Sequence, residues 1–375
     1  MIIIVLLLGA LLLYVLQRIL YKKLWNRKLS LTVSFNSQSA FEGEHGSITE
    51  ILENRSFLPL PFVHAKFRIG SGLVFENSEN VSTSDQNYKN DIFAILFYQR
   101  IRRTLEFSCE KRGYYAIHAA DLVSTDLFYT SHMVCEYPQN TSFYVYPRRV
   151  DVSRFEQPLK KMIGELASRA FLYPDPFEFR GLRDYTISDP MNTINWKASA
   201  KAGSLMVNQY NSTTSRKIVI LLNTEDELVI HHGPLHEDAI RIASTLAAHL
   251  LAQGNPVRFV TNGRDLSSRE VPKPINANGT AAADSIFRML ARINTGLPAE
   301  EFFPYIKAEM EDPDYVNAGY ILISASMKQP LQDAFLQLSN EAVCLWITPL
   351  YNNMESHIRE DLNAEVLRWE VEGHA

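Results

Sequence analysis

An uninterrupted apolar run at the N-terminus constrains the fold of this chain more than any other feature. It reads MIIIVLLLGALLLYVL, and residues 2–16 contain no charged side chain. A helix that crosses a bilayer needs about 20 residues, and the apolar character resumes beyond Arg18. Residues 1–28 are therefore predicted to form a single membrane anchor. In this anchor the Arg18 side chain reaches toward water, and Tyr21 and Trp25 lie at the bilayer surface.

A cleaved signal peptide is the competing interpretation of this segment. Signal peptides carry positive charge before the apolar core and a small-residue cleavage site after it. Here no A-x-A site follows the core, and the basic residues also follow it: Arg18, Lys22, Lys23, Arg27 and Lys28. We therefore expect an uncleaved anchor, and the positive-inside rule places the rest of the chain in the cytoplasm.

Charge and cysteine usage exclude several classes of protein. The chain has 375 residues, enough for two or three domains, and a net charge of −5. Basic residues are not concentrated beyond the first helix, which does not favour nucleic-acid binding. Cys109, Cys135 and Cys344 form no CxxC pair, so neither a zinc site nor a disulfide framework is indicated. A reducing compartment fits this usage best.

Residues 29–146 have the pattern of an all-β domain. Short runs such as LSLTVSF and FVHAKFRI alternate apolar and polar residues or are rich in β-branched and aromatic side chains. Turn-forming residues separate these runs, for example Gly43, Pro59 and Pro61. Short strands at this spacing predict an antiparallel β-sandwich.

Residues 147–215 concentrate specific polar types without a clear period. Residues 151–170 are predicted as a helix or a loosely structured arm. The next stretch is FRGLRDYTISDPMNTINWKASAKAGSLMVNQY, residues 179–210. Its acids and bases are the types used in general acid–base catalysis: Arg180, Arg183, Asp184, Asp189, Lys197 and Lys201. No histidine lies nearby in the sequence to activate Ser199 or Ser204.

A structural clasp is the second interpretation of residues 179–210, and we favour it. A buried Trp196 ring would anchor the segment. Arg183 would pair with Asp184 or Asp189 through its two parallel N–H donors. The small residues 198–200 would allow close packing.

Residues 216–375 alternate strand and helix patterns. KIVILL, PVRFVT, GYILIS and AVCLWIT are short apolar runs, and helical patterns cover residues 236–253, 281–293 and 330–338. This alternation predicts an α/β domain with a parallel sheet and helices on both faces.

The stretch at residues 179–210 resembles the signature of the bacterial "domain of unknown function 58" family. That signature runs roughly R-[ED]-Y-x-x-G-D-x-x-R-x-I-D-W-K-A-S-A-R, followed by L-x-V. The matching residues are Arg183, Tyr185, Asp189, Ile194, Trp196, Lys197, Ala198, Ser199, Ala200, Leu205 and Val207. Ser188 and Asn195 depart from it, since the family usually has glycine and aspartate there.

The resemblance covers most of the chain. It includes the N-terminal anchor and the strand EKRGYYAIHAADLVSTDLF, in which Leu127 and Tyr129 replace the proline and glycine of an Asp-Pro-Phe-Gly loop. It implies a von Willebrand factor A-like (Rossmann-like) domain at residues 216–375. The metal-binding Asp-x-Ser-x-Ser motif of such domains corresponds here to Asn223, Glu225 and Glu227, so we expect a degenerate site without metal and no cofactor. A metal site at His231, His232 and His236 is a weaker alternative.

Two functions follow as hypotheses. The resemblance implies a non-enzymatic, membrane-anchored adaptor whose partner is a MoxR-type AAA+ ATPase in an envelope-associated chaperone or assembly system. The alternative is a metal-dependent hydrolase that uses Asp184 and Asp189, or the acidic loop from Glu225 to Glu227. The sequence contains no Walker A, HExxH or G-x-S-x-G motif.

Overall fold

The computed structural model describes residues 2–75, 81–83, 86–172, 179–187, 189–210, 217–227 and 232–371. Over these residues the chain divides into two units, Met1–Arg148 and Arg149–Ala375.

The first unit consists of one helix and a series of strands. The helix is α1 (Ile2–Leu24). The strands are β1 (Leu29–Phe35), β2 (Ser39–Phe41), β3 (His45–Asn54), β4 (Leu60–Gly70), β5 (Leu73–Phe75), β6 (Val81–Thr83), β7 (Gln86–Ile95), β8 (Arg100–Cys109), β9 (Gly113–Thr125) and β10 (His132–Tyr146).

These strands form two sheets that share one apolar core. The order in one sheet is β1-β3-β8-β5, and in the other it is β2-β10-β9-β4-β7-β6. Neighbouring strands are antiparallel except for the short parallel pair of β2 and β10. Leu52 and Phe107 from the first sheet and Leu122 and Phe143 from the second lie in the same buried cluster. The predicted antiparallel sheets are confirmed, and the shared core gives them a sandwich arrangement.

The C-terminal half of α1 packs on this sandwich. Tyr21 is 2% exposed and Trp25 is 5% exposed, and the Tyr21 hydroxyl donates to the carbonyl oxygen of Pro59 at 2.7 Å. The expectation that these two rings themselves contact the bilayer surface is therefore wrong, because both are covered by protein. Residues 2–13 are apolar and exposed. As a whole, α1 is long and apolar enough to cross a membrane, which is compatible with an anchor or a signal sequence.

The second unit alternates helices and strands. In chain order these are α2 (Glu156–Leu172), β11 (Phe179–Asp184), α3 (Trp196–Ala202), β12 (Met206–Tyr210), β13 (Ile218–Leu222), α4 (Gly233–Ala252), β14 (Val257–Thr261), β15 (Ile275–Ala277), α5 (Ala283–Arg292), α6 (Phe303–Met310), β16 (Gly319–Ile323), α7 (Gln329–Glu341), β17 (Val343–Tyr351) and β18 (Glu365–Val371).

The main sheet of this unit has the order β15-β14-β13-β16-β17-β18. Numbered within this sheet alone, this is the order 3-2-1-4-5-6 of doubly wound α/β folds. The predicted parallel strands are confirmed, but the sheet is mixed because β15 pairs antiparallel with β14. Every residue of β13 and β16 is buried, as expected of strands that are covered on both faces. On one face, α6 and α7 share an apolar cluster with the sheet that includes Ile306, Phe335 and Trp346.

Candidate functional site

Residues 179–210 form a small module of their own within the second unit. Strands β11 and β12 pair antiparallel as a two-stranded ribbon, with Arg183 opposite Val207 and Asp184 opposite Met206. Helix α3 lies between these strands in the sequence, and an isolated bridge joins Ile194 to Val207. This segment lacks a clear period because it combines a ribbon, a tight loop and a short helix.

Arg183 and Asp189 form the centre of the loop. The two terminal guanidinium nitrogens of Arg183 each donate to one carboxylate oxygen of Asp189 at 2.6 Å. The same carboxylate accepts from the backbone N–H of Thr186 at 2.9 Å and from its hydroxyl at 2.8 Å. These bonds hold the pKa of Asp189 far below its usual range, and the bond from Arg183 has the largest effect.

This geometry decides between the two partners predicted for Arg183. Asp189 is the carboxylate that pairs with it, whereas Asp184 offers its backbone oxygen at 3.2 Å and has an exposed side chain. A carboxylate whose pKa is held so low is a poor general base near neutral pH. The geometry therefore favours the clasp interpretation over acid–base catalysis at this position.

Asn195 and Ser199 connect α3 to the ribbon. The Asn195 side-chain oxygen accepts from the backbone N–H of Ala198 at 3.0 Å and caps the helix, and its amide nitrogen donates to the side chain of Asn208 at 2.7 Å. The Ser199 hydroxyl donates to the Asn195 carbonyl and accepts from the Met206 N–H, both at 2.8 Å. Ser199 is thus engaged as both donor and acceptor, which is a structural role.

The prediction that Trp196 anchors the module by burying its ring is wrong. Trp196 is 64% exposed. It is the first residue of α3, so no preceding helical turn covers it. Ile194 and Val207, which face each other across the bridge, are the buried pair instead.

The remaining signature residues and their neighbours leave an unusual surface. Tyr185 is half-buried and its backbone N–H donates to the carbonyl of Leu205 at 2.8 Å, while Lys197 is exposed. Large apolar side chains are exposed beside these polar groups: Leu182, Ile187, Met191, Trp196 and Leu205. Ile187 is 99% exposed. Contiguous exposed apolar groups are typical of surfaces that contact a protein, a membrane or a ligand.

The second predicted site lies at the carboxyl ends of β13 and β16, where the strand order of the sheet reverses. Ligands of doubly wound folds bind in this crevice. Asn223 is fully buried there and donates to the hydroxyl of Ser324 at 3.0 Å. Its side-chain oxygen accepts from the backbone N–H of Glu225 and from the side chain of Asn262, both at 2.9 Å. The residue that replaces the motif's aspartate is thus held by a network of neutral groups.

The chain's own donors occupy the carboxylates of the acidic loop. Glu225 accepts from the Lys328 ammonium at 2.7 Å and from the backbone N–H of Phe302 at 3.1 Å. Glu227 accepts from the backbone N–H of Met327. These bonds fasten the end of β13 to residues 327–328, and they leave Glu225 already neutralised by a protein cation.

The remaining carboxylate of the loop, that of Asp226, is also engaged by donors of the chain itself, and two of the predicted histidines supply them. Asp226 accepts from the ring of His236 at 2.7 Å and from the backbone N–H of His232 at 3.2 Å. Within the described ranges, no cluster of three or more histidine, cysteine, aspartate or glutamate side chains is arranged to hold a metal ion. His231, like Ser188 in the signature, lies outside the described residues.

Sequence reasoning missed Lys328 and Asn262. Asn262 directly follows the strand run PVRFVT, so a rule that collects polar residues at strand ends would have found it. Lys328 has no such signal, because it reaches Glu225 from about a hundred residues away in the sequence. Ser324 stands in ISAS, the strand end where a metal site would often offer an aspartate.

Comparisons with known proteins add little. No protein-family model and no curated protein matches the chain. A non-cellulosomal cohesin from the archaeon Archaeoglobus fulgidus has 14% identity and a TM-score of 0.22, and the match covers 31% of this chain and 91% of the cohesin. The bacterial hydrophobin BslA has 13% identity and a TM-score of 0.21, with coverage of 33% and 97%. At these scores the likenesses carry no argument about fold or function.

Proposed function

We propose that this protein is a membrane-anchored, non-enzymatic adaptor that docks a protein partner on the module of residues 179–210. The exposed ring of Trp196 carries this proposal. Tryptophan is among the residues that most often dominate binding at protein interfaces. In this role the Trp196 ring contacts the partner directly.

The bonds around Trp196 support this role because they preorganise the surface. Asn195 caps the helix that begins at Trp196, and Ser199 ties that helix to β12. The Arg183–Asp189 pair fixes the loop that carries Ile187. A surface that is rigid before binding loses less entropy when the partner arrives.

The identity of the partner comes from the resemblance alone. The signature at residues 179–210 resembles that of a family whose members are expected to work with MoxR-type AAA+ ATPases, and we carry that partner over as part of the proposal. We also infer that the α/β part is von Willebrand factor A-like, which its strand order supports. The basic residues after the apolar run support a cytoplasmic location for both units.

A crosslinking experiment on the full-length protein tests the proposal. A photoreactive phenylalanine analogue placed at Trp196 is expected to crosslink to a MoxR-type ATPase of the same cell, identified by mass spectrometry. Purified ATPase is expected to bind the detergent-solubilised wild type and to lose most of that affinity with Trp196→Ala. The matched control is Leu266→Ala, an exposed apolar residue elsewhere in the second unit. Equal binding by all three proteins would contradict the proposal.

A further inference from the structure

One end of the β-sandwich exposes an apolar rim. Three connections meet at this end: residues 55–59 between β3 and β4, residues 96–99 between β7 and β8, and residues 126–131 between β9 and β10. The rim is defined by the large apolar side chains of these connections that are 51% to 69% exposed: Phe57, Leu96, Phe97, Tyr98, Leu127, Phe128 and Tyr129. Large exposed apolar side chains that lie together in this way indicate a contact with protein or membrane.

The rim is continuous with α1. The Phe128 ring lies 5.9 Å from the ring of Tyr14, centroid to centroid, and the Gln17 amide donates to the Asp126 carboxylate at 3.3 Å. Tyr21 reaches the connection between β3 and β4 through its bond to Pro59. Tyr14, Gln17 and Tyr21 lie on one face of α1, because they are three and four residues apart in the sequence.

The first and second connections are held together by hydrogen bonds from a backbone N–H and from one buried side chain. The Tyr98 N–H donates to the Ser56 carbonyl at 3.1 Å. The buried Asn54 side chain donates to the carbonyl oxygens of Leu58 at 2.8 Å and Leu96 at 3.0 Å. The rim is therefore a fixed part of the sandwich and keeps its place beside the helix.

The length of α1 that extends beyond the sandwich determines how close the rim lies to a bilayer that α1 crosses. Only residues 2–13 project beyond the sandwich, and at 1.5 Å per residue they extend roughly 18 Å. The apolar core of a bilayer is about 30 Å thick. If α1 crosses the bilayer, the turns from Tyr14 to Tyr21 must also lie at membrane depth. Phe128, which packs on Tyr14, must then lie there as well.

The charge beside the rim matches an anionic lipid surface. Exposed basic side chains follow the apolar part of α1 at Lys22, Lys23 and Lys28, and Arg100 follows the connection that carries Tyr98. Aromatic side chains are enriched in the interfacial layer of bilayers, and lysine and arginine are attracted to anionic headgroups.

We propose that the apolar rim is a second membrane contact, which inserts into the interfacial layer of the bilayer and seats the sandwich against the lipid. This inference rests on the anchor of the proposed function. It adds that the first unit is held at a fixed height and orientation above the membrane, because helix and rim enter the lipid together.

Depth-dependent quenching in the full-length protein tests the rim. The protein carries Cys135→Ser, so that the remaining cysteines, Cys109 and Cys344, are buried. An environment-sensitive fluorophore is attached to one introduced cysteine at a time, at Leu8, Tyr98, Phe128 or Glu110. Glu110 is the matched control, because it is exposed at the opposite end of the sandwich. The protein is reconstituted into vesicles of phosphatidylcholine and phosphatidylglycerol that contain brominated lipids.

We expect brominated lipid to quench the labels at Leu8, Tyr98 and Phe128 and to leave the label at Glu110 bright. Vesicles that contain brominated phosphatidylcholine but no phosphatidylglycerol are expected to quench the Tyr98 label less, because the basic residues then lack anionic headgroups to bind. If Leu8 is quenched while both rim labels behave like Glu110, the rim inference is overturned and the anchor stands. If the label at Leu8 is not quenched either, the anchor itself is overturned. A third outcome is that neither iodide nor brominated lipid quenches the rim labels. That result would show that protein covers the rim, and it also overturns the inference.

Discussion

The ammonium group of Lys328 lies 2.7 Å from the carboxylate of Glu225, at the point of the main sheet where the strand order reverses. The Glu225 side chain is 9% exposed and that of Lys328 is 40% exposed, so the carboxylate is largely removed from water and depends on its partner. An ion pair of the chain itself thus lies at the strand ends where doubly wound folds bind ligands.

Replacing Lys328 by methionine is expected to destabilise the second unit. The substitution leaves a buried carboxylate with the Phe302 N–H as its remaining donor among the contacts described above. We expect a loss of about 1–2 kcal/mol in the free energy of unfolding, between the values for exposed and for buried ion pairs, because Lys328 is partly exposed. Urea unfolding measures it. Lys273→Met, at an exposed position of the same unit, is the control, and equal stability of the two variants would contradict the structural role of the pair.

Replacing Asp189 by asparagine is expected to loosen the loop of the 179–210 module. The neutral side chain keeps one acceptor but loses the bidentate, charge-assisted pairing with Arg183. The backbone amide of Thr186, which donates to this carboxylate, is expected to exchange its hydrogen faster. Hydrogen exchange followed by mass spectrometry reads this out, and Asp184→Asn on the same ribbon is expected to leave it unchanged. Similar acceleration in both variants would mean that the Arg183–Asp189 pair does not hold the loop.

Trp196 and Ile194 are expected to differ sharply in their effect on stability. Trp196→Ala removes an exposed ring and is expected to change the free energy of unfolding by less than about 0.5 kcal/mol. Ile194→Ala empties a buried position opposite Val207 and is expected to cost roughly 2 kcal/mol or more. Chemical unfolding compares them. A large loss with Trp196→Ala would restore the buried-anchor hypothesis.

Glu50 is expected to make the stability of the first unit depend on pH. It is fully buried on β3 opposite Arg103 of β8, near Lys89 and Asp91 of β7. Burial and, next, the charge of Asp91 raise the pKa of Glu50 to about 8, against the opposing effects of Arg103 and Lys89. Between the ordinary pKa of 4.5 and this value, the folded protein binds more protons than the unfolded chain. The free energy of unfolding should therefore fall as the pH rises through this window and level off above it.

The substitution Glu50→Gln tests the assignment of this pH dependence. A neutral side chain cannot ionise, so the fall in stability between pH 5 and 8 is expected to flatten, by up to about 1 kcal/mol per pH unit. Thermal unfolding at a series of pH values measures it. Glu106→Gln, at an exposed position of β8, should retain the wild-type profile. A wild-type profile in the Glu50 variant would assign the dependence to another group.

Local patterns determined much of the architecture. KIVILL and GYILIS are apolar at nearly every position because parallel strands are covered on both faces, and the structure places β13 and β16 there. The edge strand β15 and the terminal strand β18 were not predicted. β15 has only three residues. β18 lacks the continuous apolar run by which the other strands of this sheet were predicted, because Glu365, Arg368 and Glu370 interrupt it.

The sequence by itself determined the apolar N-terminal helix, the change from a β-sandwich pattern to an α/β pattern, and the residue types of the signature. These are properties of composition and period, which act over a few neighbouring residues. Only the tertiary structure decided which acid pairs with Arg183, that Trp196 faces solvent, that Lys328 neutralises Glu225 and that Phe128 lies beside Tyr14. Two of these contacts join residues about a hundred positions apart. The free energy of such contacts depends on burial and geometry that no local pattern encodes.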